Sequence, residues 1–202
     1  MYSICCARFL GFAMVPMAVV SILANLLLLF PDLKHSYLTE GHVTPEARWC
    51  TGIWLSGVVV LVAARGFASR YTKEGCCLFR ADMLCRTAYS CVALCAAALC
   101  FLFNTAGLAN GPLCYYNGTD GLEWGRPLKL QNVNAVNYIH DPQRWNSACL
   151  KPHGVVMWNM VLFSTIMAAS GLQGVICLVQ IIHAILGAIF GPGFCKNKVA
   201  PA

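Results

Sequence analysis

Charged side chains are scarce in this chain: Asp, Glu, Lys and Arg together make up 11% of its 202 residues. Four stretches contain almost none, and each is long enough for a helix to cross a hydrocarbon core of about 30 Å. They are residues 9–30, 49–68, 87–108 and 155–182. A hydrophobic content of 58% excludes an ordinary soluble domain. We therefore predict an all-α membrane protein, a four-helix transmembrane bundle with aqueous loops.

The chain also lacks the motifs of common catalytic sites. It contains no HExxH, no GxSxG, no glycine-rich phosphate loop and no acidic pair within the apolar stretches. A paired acid or base near the membrane midplane, which a transport path ordinarily uses, is missing as well. We predict a protein that is not an enzyme and holds no cofactor or metal, so that its function rests on loops and helix faces.

Positive charge is concentrated on one side of the predicted bundle. That side consists of residues 1–8, 69–86 and 183–202 with the adjoining helix ends, and its excess of basic residues accounts for the whole net charge of +6. Loops 31–48 and 109–154 hold basic and acidic residues in balance. Because short Lys- and Arg-rich loops stay in the cytoplasm, we expect both termini to be cytoplasmic. The first stretch is expected to remain as an uncleaved anchor, because it is longer than the apolar region of a typical signal peptide.

Loop 109–154 is predicted to be a small extracellular unit. It is too short for a substantial core, and units of this size usually depend on disulfides. Cys114 and Cys149 are its only cysteines, and we predict that they pair, which would contribute about 4 kcal/mol on the chain-entropy model. The acceptor Asn117 begins an Asn-Gly-Thr sequon, whose glycosylation requires the same outer location. Loop 31–48 is expected to be a lid or simple connector, and Cys50 a small buried thiol rather than a bridge to another chain.

Six further cysteines lie near the predicted cytoplasmic edge. They are Cys5, Cys6, Cys76, Cys77, Cys85 and Cys195. Structural disulfides are disfavoured in the reducing cytosol, whereas juxtamembrane cysteines are typical S-palmitoylation sites. A zinc site is the competing interpretation, but no CxxC pair or nearby His completes a tetrahedral set. We therefore predict acylation of at least some of these thiols.

Small and polar residues within the apolar stretches suggest how the helices associate. Ser170 and Gly174 form a small-xxx-small pattern of the kind found where membrane helices pack closely. The fourth helix is predicted to carry a polar stripe formed by Gln173, Gln180 and His183. The first helix carries one isolated amide, Asn25. We interpret the amides as interhelical hydrogen-bonding groups and His183 as lying near the inner interface.

Several motifs together resemble a known family. They are Gly111-Pro112-Leu113-Cys114, Trp145-Asn146 with Cys149 and Pro152, Trp158-Asn159-x-x-Leu162-Phe163-Ser164, and Cys6-Ala7-Arg8 near the start. On these residues the chain is similar to the L-six antigen branch of the transmembrane 4 superfamily. It departs from that family at Asn159, which lacks the sequon hydroxyl residue, and in having fewer cysteines in the cytoplasmic loop. The Cys-Cys-Gly motif of true tetraspanins is also missing from the large loop.

The resemblance implies a non-enzymatic, tetraspanin-like organiser. Such a protein gathers receptors, integrins and other tetraspanin-like proteins, and influences adhesion, migration, proliferation or signalling. It implies a multi-pass protein of the plasma membrane, and a late endosomal or lysosomal location would use the same topology. Membrane lipids, including cholesterol, and a second copy of the chain are further partners left open, whereas nucleic acid is not expected.

A second hypothesis is a sterol- or lipid-binding protein, or a small-solute transporter, that uses a cavity between the helices. Arg8, Phe12 and Val15 fit a cholesterol-contact pattern, although such patterns have little specificity. Solute flux in liposomes would distinguish this hypothesis from the organiser. An intramembrane enzyme is the third and least favoured, because no recognised site supports it.

Overall fold

The computed structural model describes residues 2–68, 76–118, 121–129, 139, 145 and 147–190, except for the side chains of 2–7, 68, 76–80, 188 and 190. The longer elements are α1 (Tyr2–Leu29), α5 (Val60–Ala68), α6 (Cys76–Asn110) and α7 (Val155–Phe190). Short elements connect them: a 3₁₀ turn (Pro31–Leu33), α2 (Ser36–Thr39), α3 (Pro45–Arg48) and α4 (Thr51–Ile53), followed by a π-helical segment (Trp54–Val59). The strands β1 (Cys114–Gly118) and β2 (Gly121–Gly125) form an antiparallel hairpin between α6 and α7.

Within the described part of the chain, four helical segments are long and apolar enough to cross a membrane. They are Arg8–Leu29, Pro45–Phe67, Ala81–Asn110 and Val155–Gly187. The predicted fold class, a four-helix membrane bundle, is therefore confirmed. Helix α6 already begins within the predicted loop 69–86. Because a helix can continue beyond the hydrocarbon, this start does not mark the membrane edge, and the segment boundaries stay predictions.

Small residues let the first two spans approach closely. A Cβ atom added at Gly57 would lie 2.5 Å from Ile22 Cγ1, and one at Gly52 would lie 2.9 Å from Asn25 Cβ. Contacts this short leave no room for a side chain, so the two backbones can pack together only because glycine occupies both positions. Gly107 of α6 plays the same part against Phe163 of α7, whose ring would lie 2.8 Å from an added Cβ.

Large apolar side chains point outward from the spans. Phe12 of α1, Val62 of α5, Leu99 of α6 and Leu172 of α7 are all exposed in the isolated chain. Soluble monomers rarely leave so much apolar surface open, so this surface fits contact with lipid or with other membrane helices. The buried side of the bundle combines small and polar residues with a few large side chains such as Phe67 and Phe163.

Trp158 connects the fourth span to the end of the first. Its indole Nε1 donates a hydrogen bond to the Leu27 carbonyl, at 3.1 Å. The same carbonyl accepts from Phe30 N at 3.1 Å, so the indole is a second donor to the last turn of α1. Trp158 thereby ties α7 to the point where the chain leaves α1 for the first loop.

Candidate functional site

A disulfide closes the loop between α6 and α7. Cys114 and Cys149 are bonded with a Cα–Cα distance of 5.7 Å, which confirms the predicted pairing. Both are buried and pack against Val155 and Val156 at the start of α7. Tyr115 N donates to the Lys151 carbonyl at 2.9 Å, so β1 is also held by the chain that follows the disulfide.

Asn117, the predicted glycan acceptor, is exposed on the hairpin. It pairs with Leu122 across the two strands, and its side chain is open to solvent, as glycan attachment would require. The hydroxyl residue of the sequon lies outside the described residues, and glycosylation stays a prediction. On the same hairpin, the Tyr116 hydroxyl donates to Glu123 at 2.7 Å. This bond raises the pKa of the Tyr116 phenol above its ordinary value.

An ion pair joins the two loops that the sequence treats as separate. Arg126 holds Glu46 through two parallel bonds, Nη2 to Oε2 at 2.6 Å and Nη1 to Oε1 at 3.0 Å. Asn110, at the end of α6, donates a third bond to Glu46 Oε1 at 2.9 Å. The two charged side chains are only 14% and 18% exposed. Bidentate, partly buried pairs of this kind are among the stronger polar contacts in proteins.

Aromatic stacking reinforces this junction. The Trp124 ring of β2 stacks on His42 of the first loop with centroids 3.8 Å apart and planes 5° apart. Tyr37 of the first loop meets the same indole edge-on at 6.2 Å, and Tyr115 of β1 lies 5.6 Å from it. The expectation that loop 31–48 is a lid or simple connector was therefore incomplete, because this loop is half of an interlocked structure. We call the two loops, joined by the ion pair and by Trp124, the loop cap.

A groove opens on the surface of the loop cap. Its volume is about 480 Å³, and both loops contribute to its lining. The lining residues are Ser36, Tyr37, Glu40, Tyr115, Trp124 and Lys151. An acid, a base and three aromatic rings in one recess offer polar and apolar contacts together, as at the centres of many protein interfaces.

Inside the bundle, a polar group links three helices. Gln173 of α7 donates from Nε2 to the Ser56 carbonyl at 3.0 Å, and the Ser56 hydroxyl lies 2.7 Å from Gln173 Oε1. Ser56 Oγ is also 2.8 Å from Ser21 Oγ of α1. Each hydroxyl carries one proton, so when Ser56 donates to Gln173, Ser21 donates either to Ser56 or to the Met17 carbonyl. All three side chains are fully buried.

The π-helical segment explains why Gln173 reaches a backbone carbonyl. A π turn shifts backbone groups away from the regular i to i−4 ladder. Ser56 lies within that segment, and Gln173 bonds to both its side chain and its carbonyl. Backbone groups inside a bilayer need protein partners, because no bulk water is available to them.

The other predicted helix residues occupy separate positions. Asn25 is buried beside Gly52, and no donor among the described residues reaches its Oδ1. Ser170 and Gln180 are buried, and Gly174 faces Leu94 of α6. His183 is exposed, so it does not share the buried side of α7 with Gln173 and Gln180.

Comparison with known proteins identifies the family. The family model described as L6 membrane protein matches residues 1–195. The chain belongs to the L6 membrane protein family. This result confirms the resemblance drawn from the cysteine and tryptophan motifs.

Several L6 relatives align over nearly the whole chain. It is 33% identical over 192 residues to human "Transmembrane 4 L6 family member 19", covering 90% of each protein. It is 32% identical over 197 residues to rat "Transmembrane 4 L6 family member 4", covering 94% of this chain and 93% of the relative. Human "Transmembrane 4 L6 family member 1" is 32% identical over 198 residues, with the same coverage. No solved structure matches the chain significantly.

The cysteines of this L6 family chain fall into distinct environments. Cys85 on α6 is exposed, and Cys50, at the start of α4, is half-buried. The side chains of Cys5, Cys6, Cys76 and Cys77, and the whole of Cys195, lie outside what the structure describes. Within the described residues, no three His, Cys, Asp or Glu side chains are grouped so as to hold a metal ion. Acylation stays a prediction.

Two features of the L6 chain escaped sequence reasoning. The first is the Glu46–Arg126 pair, whose members are 80 positions apart. The second is Ser56 as the partner of Gln173. A signal for Ser56 was present, since Gly52 and Ser56 form a small-xxx-small pattern in the second span. The sequence signal for the Glu46–Arg126 pair was weaker, because several other acidic and basic residues in the outer loops could form ion pairs.

Replacing Gln173 tests the polar group. In Gln173→Leu, the Ser56 carbonyl loses its Gln173 donor and the Ser56 hydroxyl keeps only Ser21, while the side-chain volume is roughly kept. A buried group without its partner costs about 1–3 kcal/mol, and values measured in membranes fall at the low end. We expect a loss of about 1 kcal/mol in unfolding free energy, measured by SDS titration in detergent micelles.

Thr165→Val is the matched control on the same helix. Among the described residues, the Thr165 hydroxyl bonds only to the Val161 carbonyl within α7, so its loss should change stability little. Equal stability of Gln173→Leu and the wild type would mean that the polar group does not hold the three helices together.

Proposed function

We propose that this protein is a non-enzymatic, tetraspanin-like membrane organiser that associates laterally with receptors and adhesion proteins. The loop cap is the observation that carries this proposal. Two loops are fixed to one another by the Glu46–Arg126 ion pair and the Trp124 stack, and together they present one groove. A surface that is already ordered loses less entropy when a partner docks on it.

The apolar outer faces support lateral association. Lipid tails are as apolar as leucine, so membrane helices associate through close packing and polar contacts rather than through a hydrophobic driving force. The chain uses such contacts internally, at Gly57 and Gln173. Its exposed surface on α1 and α7 consists of side chains such as Phe12 and Leu172, which other membrane proteins can contact.

The proposed topology places both termini in the cytoplasm and the loop cap outside, at the plasma membrane. The excess of basic residues at the opposite end of the bundle supports this orientation. Cys85, exposed at that end, supports acylation there. An acyl chain on Cys85 would anchor this part of α6 to the inner leaflet.

The alternative of a lipid cavity or solute path between the helices receives less support. Ser21, Ser56 and Gln173 are in direct contact across the middle of the bundle, so their side chains fill the space where three helices meet. Substrate or lipid could pass there only if these hydrogen bonds opened.

Quantitative affinity capture in mild detergent tests the organiser. The wild type should enrich a reproducible set of receptors or adhesion proteins, compared with an unrelated four-span protein. Glu46→Arg places two like charges at the loop junction. The amount of captured partners should fall at least about tenfold, as expected when a buried charge is left unpaired. The swapped pair Glu46→Arg with Arg126→Glu restores opposite charges and is the matched control, in which capture should return.

A Cys5, Cys6, Cys76, Cys77 and Cys85 to Ser variant separates the contribution of acylation. If this variant loses the partners and Glu46→Arg keeps them, the association depends on acyl chains and not on the loop cap. If the wild type enriches no membrane partner, the organiser proposal fails.

A further inference from the structure

A second groove lies at the end of the bundle away from the disulfide. It runs between α5 and α6 and has a volume of about 330 Å³. Its walls are formed by Val62, Arg65, Gly66, Asp82, Arg86 and Tyr89, with Cys85 beside them. The sequence predicts that the second span ends at residue 68 and that the third begins at residue 87, so we expect this groove to lie at the membrane edge.

The groove carries an excess of positive charge. Arg86 Nε bonds to Asp82 Oδ2 at 2.8 Å, one turn away on α6, and this pair is largely neutral as a unit. Arg65 is exposed on α5, and among the residues that the structure describes no carboxylate forms an ion pair with it. Among the lining residues that the structure describes, two guanidinium groups and one carboxylate leave one positive charge, and Arg65 is the side chain able to offer it to an anion.

The remaining walls are apolar and face outward. Val62 is 56% exposed and Tyr89 is 48% exposed, on the outer surface of the second and third spans. Gly66 lies beside the Tyr89 ring, and a Cβ added there would be in ordinary van der Waals contact with the ring, at 3.4 Å. The groove thus combines a cation at the membrane edge with an apolar wall that extends toward the hydrocarbon.

We propose that this groove binds an anionic phospholipid, with its phosphate on Arg65 and one acyl chain along Val62 and Tyr89. Basic pockets between membrane helices take lipid headgroups by this combination of charge and apolar contact. A free phosphate ion would use only Arg65 and would gain nothing from the apolar wall. The site goes beyond the proposed function, since lipid binding needs no protein partner.

Native mass spectrometry of the purified full-length chain tests this site, with phosphatidylserine and phosphatidylcholine as probes. A Cys85→Ser background is used, so that an attached acyl chain cannot occupy the groove. The chain should bind phosphatidylserine in preference to phosphatidylcholine. Arg65→Gln should weaken phosphatidylserine binding about fivefold, the factor that corresponds to about 1 kcal/mol for one arginine near an anionic lipid.

Two further variants separate the lipid contact from a structural role. Arg65→Lys keeps the charge and should retain most of the binding. Arg48→Gln removes the same charge from an exposed arginine at the other end of the bundle and should change nothing. Helix content by circular dichroism and an intact Cys114–Cys149 disulfide show that each variant is folded.

Three results would overturn the proposal. They are equal binding of phosphatidylserine by the wild type and Arg65→Gln, equal binding of the two lipids by the wild type, or displacement of phosphatidylserine by inorganic phosphate alone. None of them bears on partner capture, so the organiser proposal would stand or fall separately.

Discussion

Replacing Cys114 with Ser is expected to open the loop cap while leaving the four spans in place. The disulfide closes a loop across 35 positions, and its removal costs about 4 kcal/mol on the chain-entropy model. The loss falls on the loop, because helices in a bilayer satisfy their backbone groups within each span. A cost of this size raises the population of the open loop by about a thousandfold.

Limited trypsin digestion measures that opening. Lys129 is an exposed trypsin site within the loop that the disulfide closes, whereas Lys151 is not a site because Pro152 follows it. When the loop opens and closes quickly compared with cleavage, the cleavage rate follows the population of the open form. Cleavage after Lys129 should therefore be far faster in Cys114→Ser than in the wild type.

Cys50→Ser is the matched control for the thiol chemistry. Cys50 is a half-buried free cysteine near the same end of the bundle, so its replacement removes a sulfur without opening a ring. Its digestion should match that of the wild type. Unchanged cleavage in Cys114→Ser would show that the ion pair and the Trp124 stack hold the loop without the disulfide.

The features that the sequence could predict are those set by composition and local pattern. Four spans follow from the near-absence of charge over lengths that match a bilayer. The disulfide follows because the loop holds only Cys114 and Cys149. Each of these inferences needs no knowledge of how distant segments pack, and the structure confirms both.

The features that escaped prediction depend on three-dimensional proximity. The sequence indicates that Gln173 bonds to a neighbouring helix, but it does not name Ser56, because the partner depends on helix rotation and on the π-helical segment Trp54–Val59. A change of hydrogen-bond register has no clear sequence signal. His183 shows the same limit: it was grouped with Gln180 by spacing, yet only Gln180 is buried.

The first loop shows how aromatic contacts alter an interpretation based on composition. The first loop has few aromatic residues, among them Tyr37 and His42, and for that reason it was interpreted as a connector. Both nevertheless meet Trp124, which lies on the other loop more than 80 positions away. The stabilisation that an aromatic ring contributes depends on the group it packs against, and composition alone does not reveal that group.

Replacing Glu46 with Ala is expected to be about as damaging as loss of the disulfide. Arg126 would keep a largely buried guanidinium without its carboxylate, and Asn110 would lose its acceptor. Removing one member of a buried pair costs about 3–5 kcal/mol. Because 14% and 18% of the two side chains still reach solvent, we expect about 3 kcal/mol, near the lower end of that range.

Hydrogen exchange of the hairpin and of loop 31–48 measures this loss. Amides of β1 and β2 should exchange faster in Glu46→Ala, since separation of the loops also removes the stack of Trp124 on His42. Glu40→Ala is the matched control in the same loop, because Glu40 is 57% exposed and its carboxylate, within the described part of the chain, forms a hydrogen bond only with His42 Nδ1, at 3.2 Å. Its removal should leave exchange in the hairpin nearly unchanged.

A double-mutant cycle separates the ion pair from the loss of individual side chains. If Glu46 and Arg126 act as a unit, the variant that lacks both should be less destabilised than the sum of the two single variants, because neither charge is then left buried alone. Additive losses would mean that each residue acts through other contacts. The two loops would then be neighbours held by the disulfide and by Trp124, and Glu46 would not be what locks the loop cap.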